Sequence, residues 1–371
     1  MIDWWPVLVA AIGTVVLMPL AIRARSIGHD ETEGVQKLHL VPTSRLGGVV
    51  MFVVYLATVL AALRLEHVAL SAALPLIVSA LPVVLVGLWE DLTRRVRPRY
   101  RMLAAVASAA LASWLAGGVI ARLDLPVIDG WLRHLWFVLP LTWFMVAGAC
   151  NAMNLIDGAN GLAGGTALMM FGGLAIAAGW TADPLMVTQT FTIMGAIAGF
   201  LIWNYPRGHV FLGDAGAYFL GFMYAVLSIQ LVARNDDISA WFVIMLAAYP
   251  IVETLFSIYR RKVVRRTASM APDALHMHTL VYRRLALPAE RRRRARDRRR
   301  ANGRVAHWMW AHGALCLALA LLFHQNTPAL MIGCVAYAAF YVNRYRALVR
   351  FRAQWRRPTL DELDQLREES P

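Results

Sequence analysis

An all-α bundle of about eleven membrane-spanning helices, N-terminus outside and C-terminus inside, is the fold class the sequence predicts. Three observations carry it. Of 371 residues, 59% are hydrophobic by type and 16% charged, against about 25% charged in an ordinary soluble domain. Apolar runs of roughly 20 residues, enough to cross about 30 Å of hydrocarbon, recur along the chain. Lys and Arg gather in alternate loops: the inside segments hold 33 of the 37, and the outside ones only Arg64, Arg122, Arg133 and Arg234. The same composition excludes a disordered chain, a collagen-like repeat and a disulfide-stapled secreted scaffold. Cys150, Cys316 and Cys334 lie in or beside apolar runs and lack metal-ligand spacing. The net charge of +14 is mostly this positive-inside bias, strengthened by attraction to anionic lipid headgroups.

The first run, near 4–22, follows only acidic Asp3 and has no small-residue cleavage site, so it reads as a retained helix rather than a signal peptide. The inside segment 23–45 leads into KLHLVPTSRLGG at 37–48. Runs near 46–63 and 70–89 flank Arg64, and the third leaves the membrane at Glu90 and Asp91, followed at once by five arginines from Arg94 to Arg101. Runs near 102–121 and 134–150 return the chain inside at NAMNLIDGANGLAGG (151–165). There Asp157 is bracketed by Asn151, Asn154 and Asn160, with Gly158 and Gly161 freeing the backbone. Runs near 162–180 and 185–203 precede NYPRGHVFLGDAG (204–216), which sets Asp214 between glycines. Runs near 215–233 and 239–259 follow, the second containing Glu253. The basic inside segment 260–304 holds DALHMHT (273–279) and RRRRARDRRR (291–300). Runs near 305–323 and 327–343 complete one integral-membrane domain over 1–344, and 345–371 is a polar tail.

The polar motifs all fall on the inside face. A transporter would hold its ionisable groups near mid-membrane in broken helices, where only Glu253 and His312 qualify. The pattern therefore favours an enzyme at the cytoplasmic membrane surface. Glu90, Asp91, Asp157 and Asp214 converging amid fixed positive charge is how a site for a divalent cation and phosphates is built. Each feature alone has a plainer reading. Glu90 and Asp91 could cap a helix end and pair with Arg94 or Arg95, and Asp157 and Asp214 lie in Gly-flanked turns where Asp is common. His276 and His278, two apart, do not share a helical face, which argues against a zinc site from them alone. The basic run 291–300 has no interleaved aromatics and reads as a solvated membrane-surface helix rather than a nucleic-acid site. Joint occurrence on one face is what points to chemistry.

At these residues the sequence resembles the polyprenyl-phosphate N-acetylhexosamine-1-phosphate transferases, of the glycosyltransferase family 4 type. That family includes the phospho-MurNAc-pentapeptide transferase and the enzymes that start O-antigen, enterobacterial common antigen and teichoic acid synthesis. Five ordered motifs carry the resemblance: KLHLVPTSRLGG, GLWED at 87–91, NAMNLIDGANGL at 151–162, VFLGDAGA at 210–217 and PDALHMH at 272–278. It implies transfer of a sugar-1-phosphate from a UDP-sugar to undecaprenyl phosphate, releasing UMP, as the first step of a cell-surface polysaccharide. It also implies a Mg²⁺ ion (Mn²⁺ in its place), a bacterial inner-membrane location and a site facing the cytoplasm.

By motif, Asp214 is the metal ligand, while Glu90, Asp91 and Asp157 are catalytic, the first two positioning or deprotonating the lipid phosphate. Asn154 and Asp157 match the nucleotide and metal loop, Asn160 in the same loop is taken as substrate-binding, and Asn204 and Phe211 match the uridine site. Lys37, His276 and His278 meet phosphates or the sugar. Direct attack by the lipid phosphate is favoured over an aspartyl-phosphate intermediate. Membrane lipids are expected partners, a homodimer stays open, and the rival class is a transporter or flippase for a lipid-linked sugar. Three positions depart from the family: Glu90 for its usual Asp, Asn160 for the second acid of DGxDG, and Thr279 for a histidine of HxHH. They point away from the peptidoglycan branch towards a surface-polysaccharide one. The arginine-rich stretch 283–304 is matched to none of the family's motifs.

Overall fold

The computed structural model describes residues 4–23, 29–30, 43–65, 69–264, 275–286 and 295–350. Every predicted apolar run contains a helix. The helices are α1 (Trp5–Arg23), α2 (Gly47–Arg64), α3 (Leu70–Thr93), α4 (Pro98–Leu115), α5 (Pro126–Trp131), α6 (Leu135–Ile156) and α7 (Leu162–Trp180). They continue as α8 (Pro184–Asn204), α9 (Gly213–Arg234), α10 (Ala240–Leu246), α11 (Ala248–Tyr259), α12 (Met277–Val281), α13 (Ala295–Leu322) and α14 (Thr327–Arg350). A two-residue antiparallel pairing joins β1 (His29–Asp30) to β2 (Thr43–Ser44). Among the described residues eight helices are individually long and apolar enough to cross a membrane, or nine if a bent pair is one span.

That pair is the run 239–259, which the sequence presents as one helix. It is α10 and α11, bent by 72°. Pro250 is the cause: it has no N–H to give to the carbonyl of Leu246, where α10 ends. The run 102–121 also starts earlier and stops sooner than its hydropathy suggests. Pro98 occupies the first turn of α4, where proline is tolerated, and Gly117 at φ +64° ends the helical path. The α5 helix, between α4 and α6, has no strong apolar signature in the sequence.

The basic run differs most from expectation. Helix α13 begins at Ala295, so residues 295–300 are the first turns of a long helix that continues into the tenth apolar run, not a separate surface helix. Arginine is a good helix former, and no proline separates the two stretches. Residues 291–294 lie outside the described part. Likewise α14 continues unbroken past the last predicted span to Arg350.

Helix α9 is the axis of the bundle. Nearly all its residues are buried, and it packs against α2, α3 and α6. Small residues let its first turn come this close. A Cβ at Gly48 would lie 2.1 Å from the Gly216 Cα, and one at Gly87 would lie 2.5 Å from the Ala215 Cα. Backbones approach in this way where helices cannot rely on hydrophobic burial against lipid. At the other end of the bundle, Asp124 accepts from Ala240 N at 2.7 Å, Ser239 Oγ at 3.0 Å and Thr327 Oγ1 at 3.2 Å. That carboxylate joins the α4–α5 loop to the starts of α10 and α14.

Candidate active site

The backbone zips β2 and the start of α2 onto residues 210–212. Phe211 N donates to Ser44 O at 2.8 Å, Gly47 N to Phe211 O at 3.1 Å, and Gly48 N to Leu212 O at 2.9 Å. This pairing delivers Arg45 to the first turn of α9. Asp91, at the end of α3, arrives there too. Its Oδ1 accepts from Asp214 N at 2.8 Å and its Oδ2 from Ala215 N at 2.9 Å. These are amides that a helix N-terminus leaves without internal partners, and the helix dipole favours a carboxylate beside them.

Arg45 bridges the two acids, with Nε 3.2 Å from Asp91 Oδ1 and Nη2 2.8 Å from Asp214 Oδ1. Arg101 Nη1 takes the other oxygen of Asp214. The side chain of Asp91 is 0% exposed and that of Asp214 5%. Adjacent Glu90 fixes the turn between α3 and α4, its Oε2 accepting from Val96 N at 2.9 Å. The acids therefore do cap backbone amides, as the plainer reading of the sequence allowed. Asp91 forms an ion pair with Arg45.

Asp157 ends α6, its N–H donating to Asn154 O at 3.3 Å. Burial pushes its carboxyl up to about 7; the Arg45 charge opposes that shift and the Asp214 charge adds to it. Asp157, Asp214 and Arg45 thus share one electrostatic neighbourhood. Asn160 and Asn204 are buried and engaged in joining loops. Gly161 N donates to Asn204 Oδ1 at 2.6 Å, and Asn204 Nδ2 donates to Val210 O at 2.7 Å. Phe211 is half-buried within the same zipped segment.

The histidines reach this loop from α12. A Cβ at Gly158 would sit 2.1 Å from His278 Nε2, so the imidazole lies against the Asp157 turn. His276 is the N-cap of α12 in extended conformation (ψ 151°), which frees it from helical phasing. Its ring lies parallel to that of His278, with centroids 5.5 Å apart and 3° between planes. Glu253, buried in α11, holds this pair. Oε1 takes His276 Nδ1 at 3.0 Å and Met277 N at 3.3 Å, and Oε2 accepts from Tyr341 O–H at 2.5 Å. Arg261 Nη2 lies 3.1 Å from His276 Nε2. A guanidinium only donates, so Nε2 accepts and the proton on Nδ1 goes to Glu253.

The structure therefore brings together Asp91, Asp157, Asp214, His276 and His278, with Glu90 at the edge. Lys37 lies outside the described residues. Arg45, Arg101 and the partners of Glu253 were not singled out from the sequence, although Arg45 stands inside KLHLVPTSRLGG and Arg101 closes the arginine run after Asp91. Among the described residues no three His, Cys, Asp or Glu side chains group as a metal cage. The donors present are nevertheless hard carboxylate oxygens. They suit Mg²⁺, which takes one or two protein carboxylates and completes its shell with water and substrate phosphates.

Residues 73–232 match the model of the family described as glycosyl transferase family 4. The chain is 26% identical over 278 residues to the probable undecaprenyl-phosphate N-acetylglucosaminyl 1-phosphate transferase of Bacillus subtilis strain 168, covering 73% of this chain and 75% of that one. It is 30% identical over 242 residues to the phospho-N-acetylmuramoyl-pentapeptide-transferase of Bacillus cytotoxicus, covering 60% and 73%. It is also 28% identical over 211 residues to the undecaprenyl-phosphate alpha-N-acetylglucosaminyl 1-phosphate transferase of Thermotoga maritima, covering 57% and 62%.

Proposed function

Since this chain belongs to glycosyl transferase family 4, we propose that it transfers a sugar-1-phosphate, an N-acetylhexosamine-1-phosphate, from a UDP-sugar to undecaprenyl phosphate, releases UMP, and so starts a cell-surface polysaccharide. The observation that carries this reading is the cluster at the start of α9, where Asp91, Asp214, Arg45 and Arg101 interlock beside Asp157. The basic face of the bundle looks to the cytoplasm of a bacterial inner membrane, where the nucleotide sugar is made and where anionic headgroups attract it.

An oxygen of the lipid phosphate attacks the β-phosphorus of the UDP-sugar. The bond from that phosphorus to the bridging oxygen breaks, and its electron pair leaves on UMP. Asp214, with Asp157 beside it, would hold Mg²⁺, whose charge would neutralise the diphosphate oxygens. Arg45 and Arg101 already face that carboxylate and are placed to take phosphoryl charge. Asp91 holds the α9 amides and with them the stance of Asp214. Glu90, at the membrane exit of α3, positions the acceptor phosphate. Direct attack suits this geometry: Asp91 is fully buried with both oxygens on backbone amides, a poor arrangement for a carboxylate that must become a phosphoryl carrier.

The test uses the full chain in detergent with undecaprenyl phosphate, Mg²⁺ and a panel of UDP-N-acetyl sugars, following UMP with and without EDTA. UMP that requires lipid, metal and one donor is the expected result. Asp214→Asn should abolish turnover, and near-native turnover in a folded Asp214→Asn protein would remove that carboxylate from the mechanism.

A further inference from the structure

Two consecutive amides lead into α7, and each is taken by an asparagine from a distant element. Gly161 N donates to Asn204 Oδ1 at 2.6 Å, and Asn160 N donates to Asn302 Oδ1 at 2.8 Å. These amides precede the first turn of α7, so no carbonyl within that helix serves them and they need partners from elsewhere. The side chain of Asn160 makes a third tie, with Nδ2 donating to Pro206 O at 3.1 Å. Helix α13 is seated against both loops. Trp310 Nε1 donates to Gly161 O at 3.0 Å, and a Cβ at Gly303 would lie 2.8 Å from Pro206 Cβ. This helix lies beyond the 73–232 stretch that matches the family model, and it begins within the arginine-rich sequence.

We propose that Asn160 and Asn302 are positioning residues: together they strap the Asp157–Gly161 loop to α13 and to the 204–208 turn, and so set the stance of Asp157. The proposal rests on the transferase reading above for its effect on turnover. It also assigns a reason to the departure at position 160. The Asn160 side chain gives a proton to a carbonyl, and a carboxylate in its place would set oxygen against oxygen. Position 160 in this chain is a hydrogen-bond donor, not a diminished acid. Towards the loop, position 302 acts as an acceptor.

Those two requirements predict opposite responses to the same chemical change. Asn302→Asp keeps the acceptor, Asn302→Leu removes it, and Asn160→Asp replaces the donor by an acceptor. Each full-length variant is compared with the native chain by hydrogen exchange of the 157–162 amides, and by kcat and KM for UMP release with undecaprenyl phosphate. Loss of one buried hydrogen bond should speed loop exchange about tenfold and lower kcat by about the same factor. Asn302→Leu and Asn160→Asp should both behave so, with KM for the UDP-sugar changed less than kcat, while Asn302→Asp stays near native. Should Asn302→Leu fail to fold, the Asp substitutions at 302 and 160 still decide. Equal impairment of both Asp variants, or an Asn160→Asp protein with native exchange and higher turnover, overturns the strap. A native chain that releases no UMP from any donor overturns the transferase reading instead, and the exchange data then judge the strap by themselves.

Discussion

Arg45 touches both buried acids at once, through Nε and Nη2, and lysine has a single point of charge with which to do so. Arg45→Lys should therefore fold yet lose between about tenfold and a hundredfold in turnover, the cost of a hydrogen bond to a charged group. UMP release measured beside a melting curve separates the two effects. Asp157 makes a different prediction. Its carboxyl titrates near 7 in the folded protein against an ordinary value of 3.8, so folding favours the protonated form. The stability this contributes is fully present below about pH 4 and is lost as pH rises through 7. Without divalent cation, Asp157→Asn should melt higher than the native chain at pH 8, with the gap closing towards pH 4. A gap that ignores pH would mean the carboxyl is not strained by burial. The acids and histidines were legible in the sequence because each stands in a polar motif beside an apolar run. Arg45 stood in such a motif too, but nothing local says that it bridges residues 91 and 214.

Among the elements, α9 depends on its neighbours having no side chain where they cross it. Gly48→Ala would drive a methyl into the Gly216 backbone, 2.1 Å from its Cα, whereas Gly148 in α6 has nothing within 4 Å of a Cβ position. Gly148→Ala should be neutral or stabilising by up to about 1 kcal/mol. Gly48→Ala should cost more than the roughly 1–3 kcal/mol typical of overpacking, because neither backbone can yield. Thermal melting in detergent compares them directly. Hydropathy located every long helix, since lipid imposes one length and one polarity on all of them. It did not reveal the α10–α11 bend, although Pro250 is visible in the sequence, because proline inside a span is tolerated as often as it breaks one. It also started α13 at the change of composition near 305, whereas the helix begins among the arginines at Ala295.

Over the whole molecule, the one-sided basic loops predict which face carries the site. Arg133→Cys and Arg304→Cys place exposed thiols on opposite faces, and the native cysteines are buried or half-buried. An impermeant thiol reagent on intact spheroplasts should label residue 133 alone and reach 304 only after permeabilisation; the reverse would invert the bundle. Pairings such as Asp91 with Asp214 or Glu253 with His276 were hidden from a linear reading because they join residues far apart in the chain. The bond between Asn160 and Asn302 spans 142 residues, and that separation has a consequence in time. At 5–20 residues per second, the ribosome delivers the acceptor on the order of ten seconds or more after the amide that needs it. The α7 entrance thus remains incomplete until residue 302 is made, and a chain arrested before α13 lacks this fastening.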